Sequence, residues 1–197
     1  MKYYPVFLDL QGRTCLVIGE RDSTQEKASQ LSAAGARVIR ADIFDPETAR
    51  DAFLIVAVLE DPSRGRELFE FGERNRIIVN VVDQPEHCAF ITPALVDRGN
   101  LLIAISTSGK SPTLASQIRQ KLENQFGSEY SELLEALAEI RPLVKSCIPS
   151  FGERKDFYAN LIQADLLETV QNEGLETARV KIRQYLETWN STTQVKT

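Results

Sequence analysis

The first hundred residues place short, nearly unbroken apolar runs between stretches whose apolar residues recur at helical spacing. Thr14-Cys15-Leu16-Val17-Ile18 ends at Gly19, and Ala36–Ala41 is built around Val38 and Ile39. Phe53-Leu54-Ile55-Val56-Ala57-Val58 and Ile77-Ile78-Val79-Asn80-Val81-Val82 are longer runs of the same kind. Because these runs do not alternate apolar with polar, both faces of each strand must be covered, as in a parallel sheet lying between helices. Residues 22–34 carry Ala28, Leu31, Ala33 and Ala34 before Gly35, which predicts a helix stopped by glycine. Residues 62–75 predict a second helix. Ala89-Phe90-Ile91 and Leu101–Ser106 read as two further strands. Strand–helix alternation with short loops predicts an α/β domain with a doubly wound parallel sheet.

After Ser111-Pro112 the pattern changes to helix alone, over 113–126, 129–147, 153–172 and 174–189, with Gly127 between the first two. Leu133, Leu134, Leu137 and Ile140 share one helical face, as do Leu161, Ile162, Leu166 and Leu167. These faces serve either an intramolecular core or a contact with a second copy. A polar tail follows from Asn190.

Composition narrows the function. A chain of 197 residues suits one ordinary domain and a smaller appendage. Its net charge of −5 argues against a nucleic-acid partner, which needs a basic surface to release counterions. A local basic pocket for a small anion remains compatible with it. Cys15, Cys88 and Cys147 are odd in number, widely spaced and without a CxxC pair, so neither a disulfide framework nor a structural zinc site is expected. Pro5 and Asp9 interrupt any signal-peptide core, and no apolar run is long enough to span a bilayer. The expectation is a cytoplasmic protein with no membrane partner.

The first strand ends Val17-Ile18-Gly19-Glu20-Arg21-Asp22-Ser23-Thr24. A dinucleotide turn needs three small residues there, for the tight bend, the approach to pyrophosphate and helix–strand packing. Only Gly19 is present; Arg21 and Thr24 occupy the other two positions. Either Arg21 reaches a phosphate, with Ser23 and Thr24 donating at the helix N-terminus, or the nucleotide site has decayed. Asp22 or Ser23 also suits a helix N-cap.

Later motifs are more specific. Asn80-Val81-Val82-Asp83 ends a strand; Phe90-Ile91-Thr92-Pro93-Ala94, Val96-Asp97-Arg98-Gly99 and Leu101-Leu102-Ile103-Ala104-Ile105-Ser106-Thr107-Ser108-Gly109-Lys110-Ser111-Pro112 follow. With Tyr4–Leu10 and Ala33-Ala34-Gly35-Ala36-Arg37-Val38, this set resembles the precorrin-2 dehydrogenase family, including the N-terminal module of siroheme synthases. The resemblance covers about residues 3–125 and continues more faintly through Gly152–Tyr158 to the end.

The resemblance implies a Rossmann-like NAD-binding domain (1–112), a helical dimerisation segment (113–147) and a small helical C-terminal domain (148–197), assembled as a homodimer. It implies NAD-dependent oxidation of precorrin-2, a tetrapyrrole, to sirohydrochlorin, with ferrous iron as a further substrate in some members. Asp83 is the side chain it associates with catalysis: a carboxylate at a strand end can take the proton that oxidation releases, while the nicotinamide accepts hydride. Taken without the motif, Asp83 is a turn-former before Gln84-Pro85. Gly19, Arg21, Asp22, Ser23, Asp42, Ile43 and Leu59 are the cofactor-binding candidates. Ser106, Thr107, Ser108, Gly109 and Lys110 form a polar loop that could hold substrate carboxylates, with Arg98 and Arg119 as further charged candidates. His87 adjoins Cys88, which is too few ligands for a metal site; a role in proton or metal handling is a second reading.

Three departures from the family pattern touch the nucleotide side: the glycine-poor turn, the short segment Ala41–Pro46, and Val58-Leu59-Glu60-Asp61 after the third strand. They keep two rivals open. One is a tetrapyrrole chelatase without hydride transfer, and the other a non-catalytic tetrapyrrole-binding protein.

Overall fold

The computed structural model describes residues 2–194, which form two compact units divided between Thr92 and Pro93. The first unit contains β1 (Thr14–Ile18), α1 (Arg21–Ala33), β2 (Arg37–Ala41), α2 (Pro46–Ala49), β3 (Leu54–Ala57), α3 (Arg64–Asn75) and β4 (Ile78–Val81). The strands are parallel in the order β2-β1-β3-β4, with Ile18 beside both Ala41 and Ala57, and Ala57 beside Val81. Successive side chains of a strand point to opposite faces, and both faces are buried here. Leu16, Ile18, Ile55, Ala57, Val79 and Val81 meet Leu68 and Phe71 of α3 and Ala49 of α2. Cys15, Leu54 and Val56 form the opposite cluster with Leu10, Leu31 and Phe90. The unbroken apolar runs thus have the cause inferred from them.

The short α2 was not anticipated. Asp45 caps it by accepting from the N–H groups of Glu47 (3.4 Å) and Thr48 (3.0 Å), with Pro46 in its first turn.

Ala89-Phe90-Ile91 is not a strand, and Leu101–Ile105 is not in the parallel sheet. In the second unit β5 (Ala94–Arg98) pairs antiparallel with β6 (Leu101–Ile105). Gly99 and Asn100 alone connect them, and a two-residue link permits only a hairpin. Gly99 has φ +64, and its N–H donates to Asp97 Oδ1 at 2.8 Å. The strand expected over Leu101–Ser106 is therefore one arm of a hairpin in the second unit.

The helices α4 (Pro112–Gln125), α5 (Glu129–Cys147), α6 (Phe151–Ile162), α7 (Leu166–Glu173) and α8 (Leu175–Gln194) complete that unit. The helix expected over 153–172 is two helices. The chain tightens at the end of α6 through bonds from Gln163 N–H to Asn160 O and Ala164 N–H to Leu161 O (both 3.1 Å), and Asp165 turns left-handed at φ 49. That break buries both Leu161 and Leu166 in one core with Ile140, Val144, Phe157, Ile182 and Leu186. Leu133 and Leu137 pack against it, while Ile162 stays 62% exposed. No helix among the described residues is long and apolar enough to cross a membrane.

Candidate functional site

The strand order reverses direction between β1 and β3, so the crevice at their carboxyl ends is where an open sheet of this kind takes a ligand. Gly19 lies there with φ 126, and a Cβ built on it would stand 2.2 Å from the Val58 carbonyl oxygen. No side chain fits at that point, so the turn can touch the loop after β3. Leu59, in that loop, is half-buried against the sheet core. Beyond it Asp61 accepts from the Ser63 N–H at 2.9 Å, and its hydrogen bonds to Ser63 hold its carboxyl below the usual range.

Helix α1 starts at Arg21 with Glu20 as N-cap, not Asp22 or Ser23, and the Glu20 side chain caps nothing. The first-turn amides are thereby left open to an anion. The hydroxyls of Ser23 and Thr24, expected to serve a phosphate, donate instead to the Glu20 carbonyl at 2.9 and 2.8 Å. Thr24 is buried, and its γ-methyl lies where it would meet any side chain at Gly19. Arg21, Asp22 and Ser23 are exposed. Asp42 and Ile43 occupy the bend after β2, both exposed, Ile43 to 69%.

Sequence reasoning missed Arg40. Its Nη1 donates to Gln25 Oε1 (2.9 Å), and its Nη2 to the Arg21 carbonyl (2.8 Å) and Thr24 Oγ1 (2.7 Å). The only available signal was a charged residue inside an apolar strand.

Asp83 follows β4 in the left-handed region at φ 63, exposed, with no hydrogen bond or ion pair from its carboxylate among the described residues. The loop behind it closes on itself. Gln84 N–H donates to Val81 O (3.1 Å), and Gln84 Oε1 lies 2.8 Å from His87 Nδ1. The Gln84 side chain crosses α3 at Gly65, where a Cβ would come 1.9 Å from Gln84 Oε1. Cys88 Sγ donates to the carbonyls of Val81 (3.1 Å) and Gln84 (3.2 Å). Buried Asn80 donates to Phe90 O (2.8 Å) and lies 3.4 Å from Cys88 Sγ. Burial pushes the Cys88 thiol above its ordinary pKa. His87 is thus a hydrogen-bonded member of this loop, tilted against Phe69.

In the second unit, Ser106–Lys110 joins β6 to α4. Lys110 N–H donates to Thr107 O (3.1 Å), and Ser108 (φ 55) and Gly109 (φ 78) make the bend. Ser106 Oγ accepts from Ser108 N–H at 3.0 Å, and Thr107 Oγ1 accepts from Ser111 N–H at 3.2 Å. Ser111 caps α4 through Leu114 N–H, with Pro112 as its first residue. The Ser108 hydroxyl and the Lys110 ammonium, both exposed, have no partner among the described residues. Arg98 is committed elsewhere: it donates to Phe126 O (2.8 Å) and Glu123 O (3.0 Å) at the end of α4. Arg119 pairs with Glu123.

The first unit therefore brings Gly19, Arg21, Asp22, Ser23, Asp42, Ile43, Leu59 and Asp83 to the carboxyl edge of one sheet. Ser106–Lys110 forms a separate loop of the second unit.

Three family models match successive stretches of the chain. Residues 39–94 match an NAD(P)-binding family, 98–125 the sirohaem biosynthesis protein central family, and 129–186 the sirohaem synthase dimerisation region. The siroheme synthases of Photorhabdus laumondii and Methylobacillus flagellatus are 31% and 33% identical, over 95% and 94% of this chain and 44% of each relative. That of Thioalkalivibrio sulfidiphilus is 34% identical over 95% of this chain and 43% of its own length. The chain spans less than half the length of these curated relatives. Among solved structures, SirC, precorrin-2 dehydrogenase, matches with a TM-score of 0.65 at 23% identity, covering 96% of this chain and 100% of that one.

Proposed function

We propose that the chain, which is similar to siroheme synthases over nearly all of its length and matches sirohaem family models, is an NAD-dependent precorrin-2 dehydrogenase that produces sirohydrochlorin. The observation that carries this reading is Asp83, an exposed carboxylate without a partner among the described residues, on the same sheet edge as the Gly19 turn.

The residues present fit a dinucleotide. A Cβ at Gly19 would fill the space beside Val58, and the first turn of α1 has no side-chain cap. Gly19, Arg21 and the first-turn amides of Asp22 and Ser23 would hold the pyrophosphate; Asp42, Ile43 and Leu59 would take the adenosine side. When bound, the nicotinamide supplies the carbon that accepts hydride. Oxidation of the macrocycle gives up a hydride and a proton, and Asp83 accepts the proton. The Ser108 hydroxyl, the Gly109 amide and the Lys110 ammonium bind substrate carboxylates, with Ser106 and Thr107 shaping their loop. The chain works as a cytoplasmic homodimer, with 113–147 as dimerisation segment and 148–197 as a helical C-terminal domain. Ferrous iron is a further substrate, inserted into the product with Asp83 taking up pyrrole protons.

A second reading draws on the turn itself. Arg21 and Thr24 at the small-residue positions suit a chelatase or tetrapyrrole-binding protein that performs no hydride transfer. Anaerobic incubation with precorrin-2 and NAD, followed by the absorbance of sirohydrochlorin, separates the two. NAD-dependent product, lost in Asp83→Ala, is the expected result. No product beside an active control enzyme would overturn the dehydrogenase reading, and iron insertion into supplied sirohydrochlorin would then favour the chelatase.

A further inference from the structure

The turn after β1 lacks two of the three small residues that usually shape such a turn, yet it is tied down by hydrogen bonds. Thr24, buried where a glycine would let helix and strand approach, donates to Glu20 O and accepts from Arg40. Arg40 is fixed in the ladder opposite Val17 of β1. From there one guanidinium reaches Arg21 O, Thr24 Oγ1 and Gln25 Oε1, bridging the two ends of the first turn of α1 and the residue after it. The neighbouring ladder bond, Gly19 N–H to Ala41 O at 2.9 Å, fixes the other side of the turn. A cation near a helix N-terminus opposes the helix dipole, so helix stability alone does not account for Arg40. A planar fork bonding a carbonyl, a hydroxyl and an amide oxygen together does account for it, and a lysine ammonium could not reproduce that geometry.

We propose that Arg40 is a positioning residue for the nucleotide turn: its guanidinium clamps the first turn of α1 from β2 and replaces the packing that small residues would provide, so NAD affinity depends on it. The inference rests on the NAD-dependent reading above.

The test uses the full chain with Arg40→Met, Arg40→Lys, Thr24→Val and the double variant Arg40→Met/Thr24→Val. NAD binding is measured by calorimetry, KM for NAD and for precorrin-2 by sirohydrochlorin formation, and amide hydrogen exchange over residues 19–25 without nucleotide. Arg40→Met should weaken NAD binding and raise KM for NAD roughly tenfold, about the worth of one charge-assisted hydrogen bond. KM for precorrin-2 should stay unchanged and exchange in the turn should quicken. Arg40→Lys should fail to rescue. Thr24→Val, which keeps the shape and removes the hydroxyl, should show part of the defect, and the double variant should bind no worse than Arg40→Met.

NAD binding by Arg40→Met within about twofold of the parent, or full rescue by Arg40→Lys, would overturn the clamp. If the parent binds no NAD, the dehydrogenase reading fails. Quickened exchange in Arg40→Met would then assign Arg40 to the fold alone and overturn the proposal as well; unchanged exchange would deny it even that role.

Discussion

Gly19 meets two constraints at once, a backbone at φ 126 and a carbonyl oxygen where a Cβ would go. Gly19→Ala should cost about 1–3 kcal/mol from its backbone conformation alone, more once Val58 is displaced. Urea denaturation reads this directly, and an unchanged midpoint would contradict the close approach. The buried Cys15 and half-buried Cys88 thiols give a second expectation. Burial raises the pKa of both Cys15 and Cys88. A raised folded pKa contributes stability below the unfolded thiol value of about 8.5, lost as pH rises through the folded one. Denaturation midpoints should therefore fall as pH rises above about 8.5, and half-buried Cys88 should alkylate more slowly than exposed Cys147. A flat profile would show that neither thiol is protected. The placement of Gly19 and Asp83 just after strands was legible because each follows an apolar run. Arg40 was not, because its partners lie up to 19 residues away on another element and only the β1–β2 register brings them within reach. Nor was the closed loop that Asn80, Gln84 and Cys88 build behind Asp83, which depends on side chains folding back onto their own backbone.

Among elements, the four parallel strands were legible within a residue or two, since only a strand covered on both faces is apolar throughout. The hairpin was not, because β6 is also an apolar run. Its alternation appears only in the structure, where buried Val96 contrasts with Leu95 and Leu102, 42% and 43% exposed. The break between α6 and α7 carries no glycine or proline, and Asp165 makes the left-handed turn in their place. Helix α4 depends on both its ends: Ser111 caps its start and Arg98 bonds its last carbonyls. Ser111→Ala should destabilise the second unit by about 1 kcal/mol, and hydrogen exchange should quicken first at Thr113–Ala115. Equal protection there would mean that the cap contributes nothing.

At the scale of the molecule, Leu143, 48% exposed, lies in the stretch that matches a dimerisation region. Sedimentation equilibrium should give twice the 22.1 kDa chain mass, and Leu143→Glu should shift the population toward single chains; a monomer at micromolar concentration would set the homodimer aside. The strand order also has a metric consequence. The Gly19 turn and Asp83 stand at the ends of β1 and β4, and β3 alone lies between them. Neighbouring strands are about 4.8 Å apart, so the two anchors are separated by roughly 10 Å. That span is ruled by the backbone ladder. Substitutions can change how firmly each anchor grips, but the gauge between them changes only if a strand is gained or lost.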